Sequence, residues 1–112
     1  MDFSSPSDVV GELSRLRLLA ERGVDAVFES EKRLAECEAA LDSAYARAFL
    51  KHEGNTVALR EQLATLDVVD LRLERDIARA EFNRVKLKMK SVSDAMVAVS
   101  VIAKQVEMMW KG

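Results

Sequence analysis

At 112 residues, 49% apolar and 32% charged, the chain has the size of one small domain and the composition of an amphipathic helical protein rather than a disordered one. A formal net charge of −2 argues against a generic binder of nucleic acid or membrane surfaces. The single cysteine, Cys37, excludes an intrachain disulfide and a thiolate metal cluster and suits a reducing cytoplasm.

The charge is uneven: residues 1–50 carry 6 basic and 10 acidic groups, residues 51–112 carry 11 and 9. Opposite signs on the two halves favour packing them together. The opening MDFSSPSD is polar and acidic rather than an apolar leader. The longest nearly uncharged run, 95–103, is too short to span a bilayer as a helix. The expected location is the cytoplasm, with no membrane partner.

Residues 1–4 are expected to fray. Ser5-Pro6-Ser7-Asp8 is a helix start: Ser5 can cap, Pro6 suits the first turn, and Asp8 stands three residues on. Ser7 is the alternative cap. A heptad then runs through Leu13, Ala20, Val27, Leu34, Leu41 and Ala48, with companions Leu16, Gly23, Ser30, Cys37 and Ala44. The companions are mostly small, which lets a facing helix approach closely. Gly23 costs about 1 kcal/mol relative to Ala inside a helix, but with no proline nearby the helix is expected to continue through it.

The one convincing interruption is Lys51-His52-Glu53-Gly54-Asn55-Thr56. Gly54 can take the left-handed conformation that ends a helix, and Asn55 or Thr56 can cap the next. The spacing predicts helices over about 7–50 and 57–109 with a turn at 51–56, which makes the helices antiparallel neighbours.

The second helix has two apolar phases. Leu59, Leu63, Leu66, Leu73, Ile77 and Ala80 form an early seam. Ala78, Phe82, Val85, Met89, Val92, Met96, Val99, Ala103, Val106 and Trp110 form a later one, in steps of four and three without a miss, a coiled-coil-like stripe. The phases differ by about half a turn, so the helix either shows two faces to two partners or is distorted between them. Ser91-Val92-Ser93-Asp94 offers a cap for a separate helix, but the heptad passes through it.

Folding at Gly54 would pair Ala48 with about Leu59 and Leu13 with about Asp94. The second helix, roughly 80 Å long against roughly 65 Å for the first at ~1.5 Å per residue, would then overhang. Its end is apolar, so Val99, Ile102, Val106, Met109 and Trp110 are the expected protein-contact residues, and a homo-oligomer the expected state.

Nothing in the sequence assembles a catalytic or metal site. His52, the only histidine, stands in a helix-ending turn with no second ligand. Cys37 lies on the apolar seam. The carboxylates form no Glu-x-x-His signature, and the glycines at 11, 23, 54 and 112 stand alone. Neither an enzyme nor a cofactor is expected. Arg72, Arg75, Arg79, Lys86 and Lys90 form a basic run able to contact phosphates. Interleaved Glu74, Asp76 and Glu81 make a solvated face opposite the acidic first helix the simpler reading.

Residues 45–107 resemble small helical proteins encoded by bacteriophages and prophages. The resemblance rests on Tyr45-Ala46-Arg47-Ala48-Phe49-Leu50 at a helix end, the acidic-Gly turn Glu53-Gly54, Arg60-Glu61 soon after, and a long helix with the Lys-rich stretch Lys86-Leu87-Lys88-Met89-Lys90-Ser91-Val92. Such genes sit in early regions near recombination and single-strand-binding genes. The resemblance implies an accessory factor acting through a protein partner in DNA replication or recombination, and it carries over no functional residue. Read as a whole, the chain is an all-α antiparallel hairpin of two long helices and a non-enzymatic interaction protein. The alternatives are a phage assembly component, a direct nucleic-acid binder through the basic run, and an inhibitor of a host protein.

Overall fold

The computed structural model describes residues 5–111, and the fraying expected at residues 1–4 falls outside them. The fold is all-α: α1 (Pro6–Lys51), α2 (Val57–Asp67) and α3 (Val69–Lys111). The two long helices are antiparallel, with α2 a short link between them. Two compact units share these helices. One joins α1 through Val27 to α3 from Arg84 onward; the other comprises Phe28–Asn83.

Ser5 is the first cap, since its Oγ accepts from the Asp8 amide at 3.4 Å and its carbonyl accepts from the Val9 amide. From there α1 runs unbroken through Gly23. Every residue of the first-helix heptad, from Leu13 to Ala48, is buried or half-buried, and so is every companion from Leu16 to Ala44.

In the first unit Val9, Leu16, Val99 and Val106 form the core, with Leu13, Leu19, Met96 and Ile102 packed around it. The small companions do what their size allows: a Cβ added to Gly23 would fall 1.7 Å from Met89 Sδ. The thioether therefore occupies the space where any other residue would carry a side chain. In the second unit Leu41, Ala48, Ala64 and Val68 form the core, flanked by Ala44, Tyr45, Phe49 and Leu71.

The turn forms where Gly54 stands, with Gly54 at φ +94°, a conformation that costs L-residues with a Cβ. Asn55 closes the loop by donating its amide and Nδ2 to the His52 carbonyl. Thr56 is the next cap, at φ −63° and ψ 154°, and its Oγ1 accepts from the Leu59 amide at 3.3 Å. Arg60 ties the two helix ends together. Its Nε and Nη2 donate to the Phe49 carbonyl at 3.1 and 3.0 Å, and its guanidinium lies 4.0 Å from the centre of the Phe49 ring. One residue thus satisfies an orphan carbonyl at the end of α1 and stacks on its last aromatic.

Three expectations are corrected. The second helix is not continuous over 57–109, because it breaks at Val68 (φ −112°, ψ 16°). Asp67, Val68, Val69 and Asp70 are all weak helix formers, and Thr65 Oγ1 donates back to the Glu61 carbonyl at 2.8 Å, a bond that bends helices. No break occurs at Ser91–Asp94, which lies within α3.

The early seam does not face the core. Ala64, Val68 and Ala78 are buried and Leu71 is half-buried; of the early seam Leu63 is half-buried, whereas Leu59, Leu66, Leu73, Ile77 and Ala80 are exposed. The later seam simply continues upstream through Arg75, Leu71, Val68 and Ala64 at the same three–four spacing.

The overhang does not form either. Ala48 shares a core with Ala64 rather than meeting Leu59. The connection and the first turn of α2 are spent before the inner face begins, and the register shifts accordingly. Val99 and Val106 are buried against Val9 and Leu16.

Candidate functional site

The side chains that carry chemistry are dispersed. Among the described residues no group of three His, Cys, Asp or Glu side chains is placed to hold a metal ion, and no buried side-chain N or O atom lacks a hydrogen-bond partner. His52 Nε2 lies 2.7 Å from Asp67 Oδ2, a contact that ties the end of α1 to the end of α2. Cys37 is half-buried on the seam. Among the described residues no helix is long and apolar enough to cross a membrane.

Arg75, Arg79 and Lys90 of the basic run face carboxylates. Arg75 Nε meets Asp76 Oδ1 at 2.8 Å, Arg79 Nη2 meets Glu38 Oε1 of α1 at 3.3 Å, and Lys90 Nζ meets Asp94 Oδ2 at 3.7 Å. Arg72 is half-buried and Lys86 is exposed. The run is therefore laced with acids, one of them on the neighbouring helix.

The five expected contact residues separate into two sets. Val99, Ile102 and Val106 belong to the first unit's core. Met109 and Trp110 are 76% and 64% exposed. Trp110 lines an open groove of about 450 Å³ with Pro6, Val9, Val10, Leu13 and Ala103. Glu107 and Lys111 edge that groove as an ion pair at 2.5 Å, and the ammonium of Lys111 holds the Glu107 carboxyl below its usual value.

Exposed apolar residues also lie in the second unit. The inner face of α2 and α3 recurs every seven residues at Ala64, Leu71 and Ala78. Two positions after each, on the opposite side of the helix, stand Leu66, Leu73 and Ala80. Leu66 and Leu73 are 68% and 59% exposed, and Ile77 beside them is 53% exposed. Val69 and Leu59 extend the same stripe and are also exposed.

The equivalent outer positions of α1 in this unit, two after Val27, Leu34 and Leu41, are Glu29, Glu36 and Ser43, all exposed. At these positions α1 turns polar residues to water and α2 and α3 turn apolar ones, although Phe28 and Leu50 of α1 are exposed too. A helix apolar on two opposite faces has the pattern of one buried on both, and a contiguous exposed apolar surface marks an interaction site.

These leucines were visible in the sequence as the early seam but were placed toward the core. The signal that would have oriented them is the unbroken upstream continuation of the Ala78–Val106 spacing to Ala64, which the charge of Arg75 conceals. The chain matches no family model, no curated protein and no solved structure.

Proposed function

We propose that this chain is a non-enzymatic helical interaction protein, a phage-type accessory factor acting by protein contact in DNA replication or recombination. The observation that carries the contact is the exposed stripe Leu59, Leu66, Val69, Leu73 and Ile77, on the face of α2 and α3 opposite the core. Burying one such side chain is worth about 1.5–3 kcal/mol. Four or five of them can offset an association cost of about 4–15 kcal/mol, enough for an interface and not merely a sticky surface. The Trp110 groove is another exposed apolar surface, in the first unit. The assignment to DNA metabolism rests on the resemblance over residues 45–107.

The test is capture by tagged protein from cells in which the chain is native, with Leu66→Asp/Leu73→Asp as the control bait. The reading expects replication or recombination proteins retained by wild type and lost by the control. Identical retention by both baits refutes a contact through the stripe. Titration with labelled single- and double-stranded DNA separates the rival reading. Salt-dependent binding lost in Arg72→Ala/Arg79→Ala would replace protein contact with direct phosphate contact.

A further inference from the structure

Met89 differs from the other described methionines in what it touches. Met108 and Met109 are 73% and 76% exposed. Met96 is half-buried against the first unit's core of Val9, Leu16, Val99 and Val106. Met89 is half-buried too, but its sulfur fills the hollow over Gly23, 1.7 Å from where a Cβ of residue 23 would stand. The same side chain lines a groove of about 330 Å³ with Leu19, Val85 and Val92. Arg22 and Lys88, both exposed, border that groove. The thioether is thus a packing element between α1 and α3 that a small polar solute can still reach.

One added oxygen changes both properties. Hydrogen peroxide oxidises a thioether by oxygen transfer. The sulfur lone pair takes one peroxide oxygen, the O–O bond breaks as the S–O bond forms, and the departing hydroxide takes up the remaining proton to give water. The sulfur loses two electrons and the peroxide gains them, leaving a polar sulfoxide. The hollow offers that oxygen no donor, because the amides of α1 around Gly23 are spent within the helix. It offers no room either, since the sulfur already stands in the place of a side chain. The Arg22 guanidinium and the Lys88 ammonium at the groove border are donors. We infer that Met89 is a site of reversible sulfoxidation: oxidation by a hydroperoxide moves its side chain from the Gly23 hollow to the groove border and loosens the first unit, and reduction returns it.

The experiment uses the full chain with Met96→Leu, Met108→Leu and Met109→Leu, so that Met89 is the one thioether left among the described residues. The probe is hydrogen peroxide, with conversion followed by peptide mass spectrometry and stability by urea unfolding. Met89 is expected to convert under peroxide that also converts Met108 in wild type. Conversion should raise the unfolded-to-folded ratio by about tenfold or more. Methionine sulfoxide reductases for both epimers, with dithiothreitol, should restore the original urea midpoint. Adding Met89→Leu should abolish the shift. Gly23→Ala puts a methyl in the hollow and displaces the thioether beforehand, so there Met89 should oxidise faster and with a smaller shift.

A Met89 that stays a thioether while wild-type Met108 is fully oxidised overturns the inference. So does a Met89 sulfoxide with an unchanged midpoint, a shift that persists in Met89→Leu, or a sulfoxide the reductases do not return. An equal shift in Gly23→Ala also overturns it, since the hollow is then not the seat of the effect. If the three leucine substitutions unfold the chain, wild type against Met89→Leu at matched oxidation of the other methionines makes the same comparison.

Discussion

Gly23→Ala measures how closely the helices of the first unit approach. In an open helix the change would stabilise by about 1 kcal/mol, the difference in helix propensity. Here the new methyl would fall 1.7 Å from Met89 Sδ and 2.2 Å from Met89 Cε, so the thioether must leave its site. Overpacking of this kind costs about 1–3 kcal/mol, and the net effect in wild type is a loss of about 0–2 kcal/mol. Removing the obstruction reverses the sign. Met89→Ala alone is expected to cost about 2 kcal/mol, the low end for a methionine that is only half-buried. In that background Gly23→Ala should stabilise by about 1 kcal/mol. The readout is a double-mutant cycle by urea unfolding at one protein concentration, with a coupling of about 1–3 kcal/mol expected. If Gly23→Ala has the same effect in both backgrounds, within about 0.5 kcal/mol, the side chains do not compete for this space and the packing argument fails.

Gly54→Ala forces a Cβ onto φ +94° and is expected to lower stability by about 1–2 kcal/mol, whereas Gly11→Ala, with nothing within 4 Å of the new Cβ, should raise it by about 1 kcal/mol; the midpoints of urea curves decide both. Arg60→Ala removes both donors to the Phe49 carbonyl and the ring contact, and should cost about 1–2 kcal/mol. Arg60→Lys should recover only part, because an ammonium lacks the planar fork, and full recovery would contradict the geometry. The Arg15 guanidinium, 3.0 and 2.5 Å from the two Glu12 oxygens, holds the Glu12 carboxyl below its ordinary 4.5. A depressed folded-state value means that the pair stabilises the fold above the unfolded carboxylate range and ceases to do so as pH falls through the folded value. Arg15→Gln should return Glu12 to its ordinary value in an NMR titration. The stability gap between the two proteins should close on acidification, and a gap that widens instead would refute the linkage.

Much of this architecture is legible in the residues. Steps of four and three from Ala78 to Val106 describe the inner face of α3, and Gly54 and Thr56 stand where the turn and the second cap form. What misled the reading is the identity of the inner residues of α2. Ala64 is the most buried residue of that helix, yet Leu59, Leu63 and Leu66 beside it are more hydrophobic. Pattern reading gives weight to leucine, whereas close helix packing selects the small residue that lets backbones approach. The half-buried Arg75, paired with Asp76, interrupts the upstream seam in composition but not in position. The register followed from the same misreading: a helix assumed to face inward from Leu59 pairs too early with α1, and the apolar end of α3 is left over. The contact surface was therefore assigned to Val99, Ile102, Val106, Met109 and Trp110, of which the first three pack in the first unit's core and the last two are exposed, and not to the leucines turned outward.

The two cores differ in how much chain must exist before they can form. Leu41, Ala48, Ala64 and Val68 lie within 28 positions of one another on the chain and assemble as soon as the turn closes. Val9 and Leu16 must wait for Val99 and Val106, which follow them by more than eighty positions. During synthesis the apolar face of the first turns of α1 therefore stays exposed until Val99 and Val106 have emerged. Loop-closure entropy favours the same order in refolding. Ala48→Gly and Ala64→Gly should then slow folding, while Val9→Ala and Val106→Ala should mainly hasten unfolding. A chevron for each variant reads the difference directly. A nascent chain stopped short of Val99 holds a completed turn and an open end, the state in which it is most exposed to wrong partners.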